Sequence, residues 1–168
     1  MILGMTPFTF FHVAISLVGI ASGLIVLLRG LLASRRLPGW TAIFLITTVA
    51  TSVTGFFFPF VRFMPSHGVG IVSLLVLAVT IPALYKFRLA GAWRWIYVVG
   101  AVLALYLNVF VLVVQLFLKV PALKAIAPTQ ADPPFAIAQG VVLLIFIVLG
   151  VRAVRRYHIQ PTAEPGRA

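Results

Sequence analysis

Two histidines in apolar runs, His12 and His67, are the side chains of this chain best suited to hold a cofactor. A helix rises about 1.5 Å per residue, which puts His12 about 25 Å from Arg29. The same rise puts His67 about 28 Å from Lys86, so the two histidines lie at matching depth. Two neutral imidazoles that face one apolar cavity can bind a b-type haem. A bis-histidine haem site at His12 and His67, in an electron-transfer protein, is therefore one alternative.

The more ordinary role of these histidines is to satisfy a neighbouring polar group. Both lie near the predicted membrane boundary, where water reaches them and a polar side chain costs little free energy. Each imidazole can then bond a helix-end backbone group, a lipid headgroup or a neighbouring glutamine. We favour this interpretation over haem, and the sequence establishes no cofactor.

The composition excludes several kinds of chemistry. The chain has no cysteine, and Asp132 and Glu164 are its only acidic residues. Thiolate chemistry, disulfides and iron–sulfur clusters are therefore excluded. Hydrolysis by paired carboxylates and Ser-His-Asp catalysis both need an acidic group, which no apolar run contains. The sequence thus predicts no catalytic residue and no metal site, and it favours a non-enzymatic protein.

Polar side chains within the apolar runs form a second candidate site, for a ligand. They are Thr51, Asn108, Gln115 and Gln139. Gln115 lies about 6 Å inside Lys119, whereas Asn108 and Thr51 lie near the midplane, about 16 Å from their outer charges. We predict that any binding site lies in the outer half, among the two histidines and the two glutamines, with Asn108 and Thr51 as its floor.

The absence of a partner charge beside these polar groups limits the ligands that they suit. A neutral or amphipathic molecule, such as a lipid or a quinone, fits them better than a strongly charged metabolite. A small permease for a neutral solute is a further alternative. The same polar residues also have a purely structural explanation. They can form hydrogen bonds between helices, worth about 0.6 kcal/mol on average in membranes.

The chain is far more apolar than a soluble domain. It has 168 residues, of which 62% are apolar and 9% are charged. A membrane-crossing helix needs about 20 apolar residues, and five uncharged intervals reach this length. We predict an all-α integral membrane protein, a compact bundle of five transmembrane helices within residues 1–156, followed by a disordered cytoplasmic tail at 157–168. The helices are predicted near 8–29, 40–61, 67–86, 94–118 and 135–155.

The distribution of charge predicts how the bundle sits in the bilayer. The formal charge is +11, and ten of the 13 Lys and Arg residues fall on one side of the predicted spans. Cytoplasmic loops carry the excess of these residues, so we predict the N-terminus outside and the C-terminus in the cytoplasm. The arginines follow the first span, which argues against a cleaved signal. Short basic clusters suit anionic lipids of the bilayer and do not predict nucleic acid as a partner.

Small and polar residues on one face mark the packed side of a membrane helix. The first span carries such a stripe, made of His12, Ser16, Gly19 and Gly23. Its GxxxG element suits either internal packing or a homodimer. The fourth span carries a heptad seam from Tyr97 to Gln115. Prolines in the connection 119–134 predict an irregular, extended segment.

The features occur in a recognisable order along the chain. A His-led, Gly-rich first span is followed by an RR-x-x-G turn (Arg35, Arg36, Gly39), a Thr/Ser–Gly second span and a His-led third span. This order resembles small bacterial inner-membrane proteins classed as domains of unknown function. The resemblance implies a multi-pass inner-membrane protein and transfers no activity. From the five uncharged intervals and the missing catalytic groups, we predict a non-enzymatic accessory component, with a membrane-protein partner, or a component that binds a small ligand or lipid.

Overall fold

The computed structural model describes residues 6–58 and 65–158, and all regular structure within these ranges is helical. Five helices are long and apolar enough to cross a membrane, which confirms the predicted class and number of spans. Their order is α1 (Pro7–Ile25), α2 (Pro38–Thr54), α3 (Pro65–Tyr85), α4 (Trp93–Lys119), the short α5 (Pro121–Ile126) and α6 (Pro133–Arg156). All but α5 are the spanning helices.

Proline begins most of these helices, as expected for a residue that lacks a backbone N–H. At α1 the Thr6 hydroxyl also accepts a hydrogen bond from the Thr9 backbone N–H, at 3.2 Å. At its other end α1 continues as a π-helical segment, Val26–Leu31. Helix α2 ends earlier than predicted: a 3-10 turn at Gly55–Phe57 follows it, and Phe58 is extended. The remainder of the predicted span, 59–61, lies outside the described residues.

The connection between α4 and α6 is more regular than its prolines suggested. The prediction of an irregular segment was wrong for Pro121–Ile126, which form α5. Proline is unfavourable inside a helix but favourable at its first turn, and Pro121 occupies that position. Further along, Asp132 accepts hydrogen bonds from the backbone N–H and the hydroxyl of Thr129, at 2.7 and 2.9 Å.

Helix α4 lies at the centre of the bundle, where it packs against α1, α3 and α6. Helix α2 packs mainly against α1 and also against α3. The core between them contains Leu27, Phe44, Leu77 and Leu105, each 1% exposed. The predicted seam of α4 is buried at Tyr97, but Gln115 near its other end is exposed.

Glycine allows the closest helix contacts in this core. A Cβ atom at Gly23 would lie 2.6 Å from Leu105 on α4 and 2.8 Å from Phe44 on α2. At Gly100, a Cβ atom would overlap the Thr80 hydroxyl on α3. The glycine stripe of α1 therefore packs against other helices of the same chain. Internal packing is one of the two roles predicted for its GxxxG element. Homodimer formation through another surface stays a prediction.

Candidate functional site

The predicted outer polar residues form hydrogen bonds between helices. His12 Nδ1 lies 2.8 Å from the Thr54 hydroxyl. The Ser16 hydroxyl donates to the His12 carbonyl at 2.7 Å and lies 3.4 Å from the Thr51 hydroxyl. The His12–Thr54 and Ser16–Thr51 contacts join α1 to α2, whereas the Ser16–His12 bond lies within α1. His12 and Thr51 thus have structural partners of the kind expected for membrane helices.

His67 lies in a different environment from His12. Its side chain is 4% exposed, and its ring stacks on Phe56 with centroids 6.1 Å apart. His12 instead meets the edge of Phe58, at 5.0 Å between centroids. Each imidazole thus packs against its own part of the segment at the end of α2. Within the described residues, no group of three or more His, Cys, Asp or Glu side chains could hold a metal.

The haem hypothesis stays a prediction that one spectrum tests. If His12 and His67 bind haem, the purified full chain will show a Soret band and sharp α and β bands after reduction with dithionite. Both His12→Ala and His67→Ala will then lose these bands, because each imidazole is an axial ligand. Absorption spectra of oxidised and reduced protein from haem-replete cells provide the measurement, and a colourless preparation contradicts the hypothesis.

The three amides of the outer half do not share one environment. Asn108 Nδ2 donates to the Thr48 hydroxyl at 3.1 Å, which joins α4 to α2. Gln139 Nε2 donates to the Phe110 carbonyl at 3.1 Å, which joins α6 to α4. The Oε1 atom of Gln139 is buried without a hydrogen-bond partner, whereas Gln115 is exposed. The structure therefore places Asn108 and Gln139 at separate helix contacts, and it exposes Gln115.

A well-formed cavity lies at the opposite end of the bundle, which we call the basic end. The basic end is defined by Arg29, Arg35, Arg36, Lys86, Arg88, Arg94, Arg152, Arg155 and Arg156. The cavity, called the basic cavity below, measures about 380 Å³. The exposed arginines Arg35, Arg36 and Arg88 form part of its wall, and mostly apolar side chains, some buried and some exposed, form the rest. Its remaining lining residues are Val26, Gly30, Leu31, Leu37, Pro38, Thr41, Leu84, Tyr85, Leu89, Tyr97 and Tyr157.

The turn between α1 and α2 positions two of these arginines. In the π-helical segment the Leu32 N–H donates to the Leu27 carbonyl at 3.0 Å, and the Arg35 N–H donates to the Gly30 carbonyl at 2.9 Å. Ser34 then adopts a left-handed backbone, with φ of 51°. Single π-helical turns are frequent at functional sites because they change the direction of the chain locally.

The turn between α3 and α4 supplies the third arginine. Arg88 and Leu89 both have left-handed backbones, with φ of 47° and 63°. This conformation costs a residue other than glycine about 1–3 kcal/mol and persists where surrounding contacts enforce it. Leu89 is 3% exposed, and its N–H donates to the Ala83 carbonyl at 3.1 Å. Burial of the leucine side chain therefore holds Arg88 at the cavity wall.

Two buried tyrosines give the inner wall of the basic cavity a polar lining. Tyr97 and Tyr157 are 2% and 3% exposed, with ring centroids 6.2 Å apart. The Thr41 side chain lines the same cavity as Tyr97. Burial raises the pKa of the Tyr157 phenol above its ordinary value of 10.0, and the charge of Arg36 acts in the opposite direction. A phenol whose pKa lies at 10 or above is protonated at neutral pH, so Tyr157 can donate a hydrogen bond.

The last described residues lie against this cavity. The predicted tail begins at Tyr157, but that side chain is buried. The His158 backbone N–H donates to the Ser34 hydroxyl at 3.0 Å, which ties the end of α6 to the turn between α1 and α2. The rest of the predicted tail, 159–168, lies outside the described residues.

The charge around the basic cavity is not balanced by nearby acidic residues that the structure describes. Asp132 is the one carboxylate within 6–58 and 65–158, and it precedes α6 at the opposite end of the bundle. The whole chain has two acidic residues against 13 Lys and Arg. An arginine guanidinium binds phosphate or carboxylate through two parallel N–H donors. The guanidinium groups of Arg35 and Arg36 at the basic cavity are therefore suited to bind an anionic group.

Sequence reasoning missed this cavity, although it used several of its residues. The sequence indicates a turn and an orientation signal at Arg35 and Arg36, and it assigns Tyr157 to the predicted tail. The pattern that could have predicted the cavity is the presence of basic residues beside tyrosines at the same end of several spans. Comparison with models of known protein families, with curated proteins and with solved structures found no match.

Proposed function

We propose that this chain is a non-enzymatic multi-pass membrane protein that binds a phosphate-bearing anionic ligand in the basic cavity. The observation that carries this proposal is one cavity lined by three arginines and two buried tyrosines. Hydrogen bonds in which one partner is charged are about twice as strong as neutral ones. An anion held by arginines and protonated phenols gains such bonds.

The location of the cavity supports this assignment. The basic end consists of residues at one end of each spanning helix. The ends of a membrane-spanning helix lie at the depth of the lipid headgroups. Lys and Arg in excess face the cytoplasm, so we propose that the basic end is cytoplasmic in the inner membrane of a bacterium and that the first span starts outside. The cytoplasmic leaflet is rich in anionic lipids. The proposed site therefore opens toward the side where phosphate-bearing anions are abundant.

The first prediction of this function is stabilisation of the detergent-solubilised full chain by anionic ligands. A ligand that binds only the folded state stabilises it by about 2.7 kcal/mol at 100 times its Kd. For a chain of this size that shift corresponds to about 5–10 °C in Tm. We expect dioleoylphosphatidylglycerol to produce it and dioleoylphosphatidylcholine, at the same mole fraction, to produce much less. Thermal unfolding followed by tryptophan fluorescence provides the measurement.

Soluble compounds separate a free phosphate ligand from a lipid headgroup in the same assay. Inorganic phosphate and glycerol phosphate test the headgroup chemistry alone, and choline chloride is the cationic control. The proposal is wrong if neither the anionic lipid nor the soluble phosphates raise Tm above the zwitterionic lipid and choline. Turnover of any bound ligand would contradict the non-enzymatic part of the proposal.

A further inference from the structure

A second cavity, which we call the α2–α3 groove, continues from the basic cavity along the outside of the bundle. It measures about 600 Å³. Apolar side chains line it apart from one tyrosine: Ala42, Leu45, Ile46, Val49, Ala50, Val53, Ile81 and Tyr85. Tyr85 lines both cavities, so the two share a wall. Thr41 of the basic cavity and Ala42 of the groove are also consecutive residues.

The length and polarity of the groove match one lipid chain. Between Ala42 and Val53 the groove follows α2 for eleven residues, or about 16 Å along the helix axis. Half of a hydrocarbon core of roughly 30 Å is about 15 Å, the depth of one leaflet. The groove therefore runs from headgroup level at the basic end to the middle of the bilayer. A linear apolar chain is the occupant that fits this length.

We infer that the ligand of the basic cavity is an anionic phospholipid, with its phosphate between Arg35 and Arg36 and one acyl chain in the α2–α3 groove. This inference rests on the proposed function and names its ligand class. Continuity through Tyr85 gives the lipid a path from the polar cavity to the apolar groove. Charge complementarity fixes which end of the amphiphile lies in which cavity, because the groove offers no charged side chain.

The groove also explains why a lipid suits the site better than a soluble phosphate. Lipid tails are as apolar as leucine, so van der Waals packing, rather than a hydrophobic force, holds a chain in the groove. The groove restrains the position of the lipid, because a chain held beside Tyr85 keeps the phosphate of the same lipid close to the arginines. Linking two attachments in this way raises the effective concentration of the second. The headgroup without its chain lacks that advantage.

The test is to fill the groove and leave the basic cavity intact. Ala50→Trp fills the middle of the groove, and Ala78→Trp is its matched control at an exposed alanine of α3 outside the groove. Native mass spectrometry of the detergent-solubilised full chain then measures the affinity for dioleoylphosphatidylglycerol. We expect about a tenfold loss in Ala50→Trp, because the phosphate loses its second attachment. Ala78→Trp should bind as the wild type does.

A second matched pair protects the test against misfolding of the half-buried Ala50 position. Ile46 in the groove is 68% exposed and Leu75 outside it is 65% exposed, so tryptophan at either position is equally tolerated by the fold. Ile46→Trp should lower phosphatidylglycerol affinity relative to Leu75→Trp. In every variant the affinity for glycerol phosphate should stay at the wild-type value, since that ligand has no chain.

Three contradicting results of this experiment have different meanings. Equal phosphatidylglycerol affinity in the groove variants and their controls overturns the lipid-chain inference but leaves the anion site intact. Wild-type protein that binds neither phosphatidylglycerol nor glycerol phosphate overturns the proposed function itself. Binding of glycerol phosphate as tightly as phosphatidylglycerol identifies a soluble phosphate ligand and also overturns the inference.

Discussion

Replacement of Arg35 and Arg36 together by glutamine is expected to lower the affinity for phosphatidylglycerol by about 100-fold. A hydrogen bond to a charged group contributes about 1.5–3 kcal/mol, and each 1.4 kcal/mol changes Kd tenfold. Both guanidinium groups are exposed, so solvent and salt screen them and the lower end of that range applies. Native mass spectrometry of the full chain, titrated with dioleoylphosphatidylglycerol, provides the measurement.

The control for this variant removes the same charge from the same end of the bundle. Arg152 and Arg155 are exposed near the end of α6 and do not line the basic cavity. Arg152→Gln/Arg155→Gln should lose much less affinity than Arg35→Gln/Arg36→Gln. If both double variants lose affinity equally, the arginines act as a diffuse surface charge and the basic cavity is not the binding site.

Substitution of Gly23 by alanine is expected to cause a large loss of stability for one added methyl group. The new Cβ atom would meet Leu105 and Phe44, both 1% exposed and therefore without room to move. Overpacking of this kind costs about 1–3 kcal/mol, and the confinement of both neighbours favours the upper end. The free energy of unfolding, measured in detergent by thermal or denaturant unfolding, should fall accordingly.

Gly140 provides a matched control for Gly23. It also lies inside a spanning helix, but no atom lies within 4 Å of its added Cβ position. Both substitutions gain the same preference of alanine for the helix, about 0.5–1 kcal/mol, so their difference reports the packing alone. Gly140→Ala should be neutral or slightly stabilising. A Gly23→Ala protein as stable as Gly140→Ala would show that α1 does not approach α2 and α4 as closely as described.

The two predictions address different features of the same helix end. Gly23 brings α1 against the core, and the π-helical segment that follows leads the chain to Arg35 and Arg36. A variant that loosens the core at Gly23 should therefore weaken lipid binding as well as stability. The arginine variant, by contrast, should weaken binding while leaving the free energy of unfolding without lipid nearly unchanged, since both side chains are exposed.

The sequence predicted the spans well because the rule that sets them is local. A bilayer demands about 20 consecutive apolar residues with every backbone polar group bonded within the segment, and only a helix satisfies this. The early end of α2 could not be predicted from this rule. The apolar run continues through Phe58, whereas the helical hydrogen bonding ends at Phe57.

The stripe of small residues on α1 could also be predicted from the sequence, because residues three and four apart share a face of any helix. The residues that this stripe contacts could not be predicted in that way. Gly23 meets Leu105, 82 positions later in the chain, and no periodicity within either span specifies that pairing. The same limit applies to Asn108, whose polarity predicted a contact but whose partner, Thr48, depends on how α4 lies against α2.

The sequence by itself determined an all-helical, five-span membrane protein with one strongly basic end, because length, hydropathy and charge are read locally. Only the tertiary structure decided that this basic end encloses a cavity. Arg35 lies on a turn after α1, Arg88 on a turn after α3 and Tyr157 after α6, so their meeting depends on how distant helices pack. The π-helical segment and the left-handed turn residues add local geometry that follows from burial and backbone hydrogen bonds, which no residue pattern encodes.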